Sequence, residues 1–201
     1  PFLSGNRLAD IGPDDVQTDY VLVSHAHGDH LGDSVSIAKR THATVISNFE
    51  IANYMEEQGI KAHGMHIGGA HQFPFGKVKL TIAHHGSSFA DGRYGGAPCG
   101  FLIWLEGKVI YFAGDTALTY DMTLYSSEHI DAALIPIGDN FTMGPEDAVR
   151  AVEFLKPKAA VLMHYNTFDV IAQDVHAVAN EIASRTSARP VVMRPGETIT
   201  L

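Results

Sequence analysis

Four residues with metal-binding side chains lie close together in the segment His25-Ala26-His27-Gly28-Asp29-His30. Side chains two residues apart in an extended chain share a face, so His25 and His27 can bind one ion. A turn after them can bring Asp29 and His30 to a second ion. Imidazole and carboxylate ligands together suit Zn²⁺, Mn²⁺ or Fe²⁺. The segment therefore predicts a metal site, and the plain alternative is a solvated polar loop.

Two ions need more ligands than one loop supplies, and further candidates follow other predicted strands. They are the adjacent His84 and His85, the carboxylate Asp115, and His164. The carboxyl ends of strands in α/β sheets lie along one edge, where such folds place their sites. A single histidine in a loop is usually a surface or capping residue, but in combination with the first motif these residues favour metal ligation.

The remaining histidines lack this context and are interpreted as surface or packing residues: His42, His63, His66, His71, His129 and His176. Among them, His63, His66 and His71 are close enough in sequence for an adventitious surface metal site. Cys99 precedes a predicted strand and has no activating group near it. This favours a small buried thiol over a metal ligand or a nucleophile.

The composition narrows the class of protein. The 201 residues are 45% hydrophobic and 18% charged, which excludes a disordered chain, a collagen and a coiled coil. No apolar run approaches the roughly 18 residues of a membrane span. The formal charge of −9 argues against a nucleic-acid partner, because such affinity depends on Lys and Arg. A single cysteine excludes an intrachain disulfide and a Cys-rich zinc site, fits a reducing compartment, and predicts a cytoplasmic location.

Hydrophobic patterning predicts one α/β domain over residues 1–201. The predicted strands are 20–24, 43–47, 77–82, 101–105, 108–112, 132–137, 159–163 and one near 191–193. The predicted helices are 33–40, 49–58, 145–155 and 172–184. Alternation of strands and helices indicates a parallel or mixed sheet covered by helices. The loop 138–144 ends at a helix N-terminus, so it is a candidate for the pocket lining as well as for an ordinary structural turn.

Taken in order, the first motif, His85, Asp115 and His164 resemble the metallo-β-lactamase superfamily, and the resemblance covers the whole chain. Several runs are similar to a subfamily of uncharacterised metal-dependent hydrolases, itself similar to the L-ascorbate-6-phosphate lactonases. These runs are 10–24, 85–88, 98–101, 113–116, 136–145 and 163–168. His85 is preferred over His84 because the histidine of the family motif directly precedes the Gly-Ser-Ser run.

The resemblance implies an αββα sandwich, in which two mixed β-sheets lie face to face with helices outside. The implied ligands of two divalent ions are His25, His27 and His85 for one, Asp29, His30 and His164 for the other, and Asp115 as the bridge. Zn²⁺ is the expected metal, with Mn²⁺ or Fe²⁺ as alternatives. Family members carry further strands and an Asp before the position of Pro1. The chain is therefore expected to be an N-terminally truncated domain with an exposed sheet edge.

The implied activity is hydrolysis of a small ester, lactone or related acyl compound by a hydroxide that bridges the two metal ions. Asp115 would fix the distance between the ions, and Asp29 would both bind metal and take up a proton. One alternative is a phosphodiesterase or ribonuclease on the same metals, and another is a metal-binding protein without catalysis. Two divalent ions with only two carboxylates among their ligands keep a net positive charge, so the site should attract small anionic substrates. Neither nucleic acid nor a membrane is an expected partner, and a homo-oligomer is left open.

Overall fold

The computed structural model describes residues 1–201 and contains ten β-strands and six α-helices. The strands are β1 (Tyr20–Leu22), β2 (Thr44–Asn48), β3 (Ala62–Met65), β4 (Ala70–Phe73), β5 (Gly76–Ile82), β6 (Cys99–Leu105), β7 (Lys108–Phe112), β8 (Ala132–Pro136), β9 (Ala159–Met163) and β10 (Arg189–Val191). The helices are α1 (Gly28–Leu31), α2 (Ser34–Thr41), α3 (Phe49–Glu57), α4 (Met122–Tyr125), α5 (Pro145–Leu155) and α6 (Val175–Arg185).

The strands form two sheets of different size and character. The small sheet has the order β1-β2-β3 and is wholly parallel, because helices cross over between its consecutive strands. The large sheet has the order β10-β9-β8-β7-β6-β5-β4. It is parallel from β10 to β7 and antiparallel from β7 to β4. Short turns connect β4 to β5 and β6 to β7, whereas the long loop 83–98 connects β5 to β6. The large sheet is therefore mixed, as expected. The small sheet was also expected to be mixed, but all of its strand pairs are parallel.

The layers follow from the side chains that each strand buries on its two faces. Val45 of β2 belongs to an apolar cluster with Ile37 of α2 and Met55 of α3. The next residue, Ile46, points the other way and joins the cluster between the two sheets. A third cluster covers the outer face of the large sheet with residues of α5 and α6, among them Val149, Val152 and Ile182. The predicted αββα sandwich is confirmed.

The structure also shows where the patterning was incomplete. The edge strands β3 and β4 were not predicted, and neither were the single-turn helices α1 and α4. Helix α6 begins at Val175 rather than at 172, because the side chain of Asp174 accepts hydrogen bonds from the backbone of His176 and Ala177 and caps it. The last strand lies two residues earlier than expected and contains Pro190, which an edge strand tolerates. None of the helices has the length and apolar character that crossing a bilayer requires.

Candidate metal centre

Strand β1 leads directly into the first two metal-binding side chains. His25 is fully buried, and its Nδ1 lies 3.0 Å from the Ser24 hydroxyl, so Nε2 faces the other side chains of the site. That Nε2 lies 3.1 Å from Nδ1 of His27. Between them, the backbone N–H of Ala26 donates to Oγ of Ser87 at 3.2 Å. The extended chain therefore places His25 and His27 side by side, as the spacing predicts.

Helix α1 supplies the turn that brings the next two residues inward. His27, immediately before the helix, is still extended, with φ −62° and ψ 150°. The next four residues form one helical turn. Within that single turn, Nε2 of His30 lies 3.5 Å from Oδ2 of Asp29. Four residues with no apolar period give no helical signal in the sequence, which is why only a turn was predicted.

Asp115 lies at the centre of the group. It follows β7 and is only 3% exposed. Before it, Gly114 adopts φ +65°, and a Cβ there would lie 2.7 Å from the carbonyl oxygen of Cys99, so only glycine fits. The Asp115 Oδ2 lies 3.2, 3.3 and 3.6 Å from the Nε2 atoms of His164, His30 and His85 respectively. One carboxylate thus contacts histidines from three separate segments of the chain, one of them helix α1.

The two adjacent histidines after β5 have different surroundings. His85 is turned into the site, and its ring centroid lies 5.0 Å from those of His25 and His27. His84 is exposed, and its backbone N–H donates to Oγ1 of Thr116 at 2.9 Å. The structure therefore brings His85 to the other candidate ligands and leaves the His84 side chain outside.

The loop after β9 presents the last candidate, His164. Its φ of 56° and the φ of 60° at Asn166 are left-handed, which is uncommon for residues other than glycine. Such conformations cost on the order of 1 kcal/mol and concentrate at functional sites. The ring of His164 stacks on that of His30 at a centroid distance of 5.5 Å. The strained backbone therefore accompanies a side chain that the candidate centre uses.

All seven predicted ligands come together in three overlapping sets, and within each set the potential ligand atoms lie within 4.8 Å of one another. The sets are His25, His27 and His85; His25, His30 and Asp115; and Asp29, His30 and His164. Several of their buried polar atoms lack a hydrogen-bond partner: Nε2 of His30, Oδ1 of Asp115 and Nδ1 of His164. Buried polar atoms without partners are costly unless something binds them, so this donor set fits divalent cations.

The histidines of the group are of two kinds, those whose pKa is lowered and those whose pKa is raised. Burial lowers the pKa of His25 to about 2, and burial also lowers the pKa of His85. Burial opposes protonation of His164 as well, but contacts with Asp115 and Asp29 outweigh it and raise the pKa to about 10. The pKa of Asp29 is held below its usual range, chiefly by His164. His25 and His85 are therefore neutral and able to bind a cation, and a cation beside Asp29 and Asp115 would take the place of the proton that these carboxylates favour on His164.

Five residues of the cluster line a cavity of about 450 Å³, namely His27, Asp29, His85, Asp115 and His164. Phe2, Phe141 and Phe168 line the same cavity. Of these three, only the loop that carries Phe141 was considered as pocket lining from the sequence. Exposed aromatic residues within five positions of a strand end would have been the signal for Phe141 and Phe168.

The second group of histidines does not form a comparable site. His63 of β3 and His71 of β4 lie with ring centroids 4.2 Å apart, and both pack against Phe73. His66 instead stacks on Phe49 at 5.8 Å. None of the three joins a set of three metal-binding side chains. The interpretation as packing or surface residues therefore agrees with their contacts.

The chain is similar in sequence and in structure to known metal-dependent hydrolases. A family model described as a β-lactamase superfamily domain matches residues 5–165. The UPF0173 metal-dependent hydrolase of Heliobacterium modesticaldum is 52% identical over 209 residues, covering 100% of this chain and 88% of that protein. The corresponding hydrolase of Pelotomaculum thermopropionicum is 50% identical, covering 100% and 90%. The structure of Igni18, a metallo hydrolase from Ignicoccus hospitalis, superimposes with a TM-score of 0.90 at 35% identity, over 98% of this chain and 87% of that one.

A match over most of the chain, together with the sandwich fold and the histidine and aspartate cluster, shows that this chain belongs to the β-lactamase superfamily. Within that superfamily, its full-length similarity to the UPF0173 hydrolases makes it a metal-dependent hydrolase. The family and the enzyme class predicted from the motifs are confirmed. The similarity to L-ascorbate-6-phosphate lactonases stays a prediction.

Proposed function

We propose that this hydrolase works through a dinuclear centre held by His25, His27, Asp29, His30, His85, Asp115 and His164. The observation that carries the proposal is the position of Asp115. One of its oxygens lies within 3.6 Å of histidines from both expected metal sites, His85 on one side and His30 and His164 on the other. A carboxylate so placed is suited to bridge two ions. Zn²⁺ is the proposed metal, with Mn²⁺ or Fe²⁺ as alternatives.

Divalent ions bound there would lower the pKa of a coordinated water toward neutrality and polarise the carbonyl of an ester, lactone or related acyl substrate. The chain's own contribution is to position these groups. Asp115 spans the two halves of the site. Asp29 lines the cavity with a side chain 31% exposed, so its carboxylate could both hold a metal ion and accept the proton of the attacking water.

Water is the proposed nucleophile because the chain offers no competing side chain. Cys99 is fully buried, and burial raises the pKa of its thiol to about 12. Ser87 donates to the carbonyl of Gly95 at 3.0 Å and accepts from Ala26, so it braces the first motif. Thiolate formation is needed for cysteine nucleophilicity, and a serine needs an adjacent free base. Neither condition is met here.

The test begins with the metal content. Protein purified without chelator and protein reloaded with Zn²⁺ or Mn²⁺ should contain close to two ions per chain. A lactone, a thioester and a phosphodiester are then offered with and without metal. Hydrolysis of the acyl compounds that disappears with a chelator and returns with metal is the expected result. Turnover of the phosphodiester alone would favour the phosphodiesterase or ribonuclease alternative, and bound metal without any turnover would favour a non-catalytic protein. The free buried thiol fits the proposed cytoplasmic location.

A further inference from the structure

We propose that the substrate is a neutral ester or lactone carrying an aryl or similarly bulky apolar group, and that this group packs against Phe2, Phe141 and Phe168. The inference rests on the proposed hydrolase and adds the substrate class to it. We call these three side chains the aromatic wall. They line the same cavity as five residues of the metal-binding cluster, so an apolar group held there lies next to the reacting bond.

Phe2 of the aromatic wall is held in position by Asp33, the residue directly before helix α2. The carboxylate of Asp33 accepts hydrogen bonds from the backbone of Leu3 at 2.8 Å and Ser4 at 2.9 Å. These bonds hold the segment that carries Phe2 beside the first metal-binding motif. The ring of Phe2 stacks on that of Phe168, with a centroid distance of 6.1 Å and an interplanar angle of 23°. Aromatic pairs in this range are mutually stabilising.

The Phe168 part belongs to the loop that presents His164. Arg7 donates from Nη2 to the carbonyl oxygen of Asn166 at 3.0 Å, two residues before Phe168. The carbonyl of Phe168 itself accepts from the backbone of Ile171 at 3.1 Å. The position of this ring is therefore coupled to the position of a candidate metal ligand four residues earlier in the chain.

The Phe141 part is the tip of the loop between β8 and α5. Asp139 and Asn140 both adopt left-handed backbone conformations immediately before it, with φ of 61° and 50°. The C-terminal part of the loop is held by a hydrogen bond of 2.9 Å from the backbone N–H of Met143 to the carbonyl oxygen of Thr116. Thr116 is the residue directly after Asp115. Strained backbone that is fixed in this way is characteristic of ligand-contacting loops.

The aromatic wall is left open to solvent in this structure. Phe141 is 54% exposed and Phe168 is 42% exposed. Apolar rings that remain in water around a concave site mark a ligand-binding surface more often than a packing defect. The cavity of about 450 Å³ lies within the roughly 300–1,000 Å³ of small-molecule pockets. Burial of these rings by an apolar part of the substrate is the arrangement that the cavity favours.

Apart from the candidate metal ligands, the side chains around the cavity provide no cation of their own to hold an anionic substituent. None of its lining residues is Lys or Arg. The nearby Arg7 is outside the lining and pairs with Asp169 at 3.4 Å in addition to its contact with Asn166. A phosphate group is normally recognised by arginine or lysine side chains, which are missing here. Away from the metal ions the cavity therefore favours a neutral, apolar substituent, although the sequence alone suggested attraction of anions to the metal centre.

Three lactones of different character test this proposal on the metal-loaded protein: γ-butyrolactone, γ-phenyl-γ-butyrolactone and 6-phosphogluconolactone. Proton release measures hydrolysis. We expect kcat/KM to be highest for the phenyl lactone. Phe168→Ala and, independently, Phe141→Ala should lower the preference for the phenyl over the unsubstituted lactone about tenfold, because an apolar pocket discriminates by contacts of this size. The loss should appear mainly in KM, and Phe168→Tyr should retain the preference.

Phe49→Ala is the matched control, since Phe49 is a half-exposed phenylalanine that stacks on His66 outside the cavity. It should leave the preference unchanged. A higher kcat/KM for the phosphorylated lactone, or equal values for the two neutral lactones, would overturn the proposed substrate class.

A binding measurement separates this inference from the proposed function. γ-Phenyl-γ-butyrolactam is an amide analogue that resists hydrolysis, and saturation-transfer NMR reports its contact with the protein. Saturation of its phenyl protons that decreases in Phe168→Ala but not in Phe49→Ala supports the aromatic wall even if no lactone is turned over. If no saturation transfer occurs in wild-type protein, the proposed role of the aromatic wall is wrong whatever the hydrolase assays give.

Discussion

The parallel strands β7 and β8 have a buried carboxylate at each of their two ends, and the surroundings of these two carboxylates are opposite. Asp115 follows β7 at the end where the histidines meet, while Asp131 precedes β8 at the other end. Both oxygens of Asp131 are paired, one with Nζ of Lys158 at 2.8 Å and the other with the backbone N–H of Val109 at 2.8 Å. Oδ2 of Asp115 contacts three histidines, and its Oδ1 has no hydrogen-bond partner.

The difference separates a carboxylate that stabilises the fold from one that is prepared for a ligand. A buried carboxylate whose oxygens are both satisfied contributes its hydrogen bonds to stability. One that leaves an oxygen unpaired among histidines stores an unfavourable interaction that a cation relieves. Strand carboxyl ends carry the chemistry in α/β sheets, and the opposite ends are free to serve stability. The same substitution at both positions should therefore have opposite consequences.

Asp115→Asn should give the largest effect on activity. The amide removes a negative charge and one of the two acceptor oxygens that could span the metal ions. We expect kcat to fall at least about 10²-fold, since even indirect changes around a metal cost about 10–100-fold. The free energy of unfolding of the metal-free protein should change little, because loss of the contact with His164 is offset by removal of a buried carboxylate oxygen that has no hydrogen-bond partner. Steady-state kinetics and urea unfolding measure the two quantities. Activity within a few-fold of wild type would contradict a bridging role.

His85→Ala and His84→Ala sharpen the same contrast between residues inside and outside the site. His85 lies 3.6 Å from Asp115, whereas His84 is exposed. The His85 variant should bind fewer metal ions and lose hydrolysis, because one of the three ligands of its ion is missing. The His84 variant serves as the matched control and should retain both properties. Metal analysis after dialysis against metal-free buffer checks this, and the reverse order of effects would show that the ligand was assigned wrongly.

The sequence predicted the parts of the fold that have a strong pattern. Strand β8 and helix α5 were found nearly to the residue, because runs such as Ala132–Pro136 are continuously apolar and Pro145 opens the helix. Strands β3 and β4 were missed, since they are polar edge strands with a single buried residue each, Met65 and Phe73. Strand β3 pairs with β2 across helix α3, and β4 pairs with β5 across a short turn, but strands with so few buried residues have too weak an alternation to be recognised from the sequence.

The sequence predicted the part of the candidate site that depends on residue type. It did not predict the part that depends on the shape of the folded chain. Histidines and aspartates at strand ends indicated six residues of the cluster and left His84 and His85 as alternatives, and the resemblance to the family motif favoured His85. The aromatic wall was not predicted as a unit. Phe2 and Phe168 are 166 positions apart in the chain, and only the folded structure brings their rings together. Contacts of this kind carry no local signal.

Asp131→Asn should have the effect opposite to that of Asp115→Asn. The amide loses the charge-assisted bond to Lys158 while the site at the other end of the sheet is untouched. We expect the free energy of unfolding to fall by about 1–3 kcal/mol, the usual cost of weakening a buried hydrogen bond to a charged group. The value of kcat should stay unchanged. Urea unfolding and kinetics are measured on the same preparation. A loss of activity with intact stability would remove the distinction between the two ends of the sheet.

Lys158→Gln should give the smallest effect and a characteristic dependence on pH. The Lys158 ammonium and then the Val109 N–H hold the pKa of Asp131 below its usual range. A depressed carboxyl pKa contributes stability that is present above the unfolded pKa of about 4 and is lost as the pH falls through the folded value. Because Lys158 is 74% exposed, its removal should cost only about 0.5–1 kcal/mol at pH 7. The difference from wild type should begin to shrink below about pH 4, where Asp131 of the unfolded chain becomes protonated, and should disappear once the pH falls below the lower pKa of Asp131 in the folded protein. Lys61→Gln, at an exposed lysine, is the control and should show no such change with pH. A difference that persists undiminished in acid would mean that Lys158 acts through packing of its side chain rather than through the charge of Asp131.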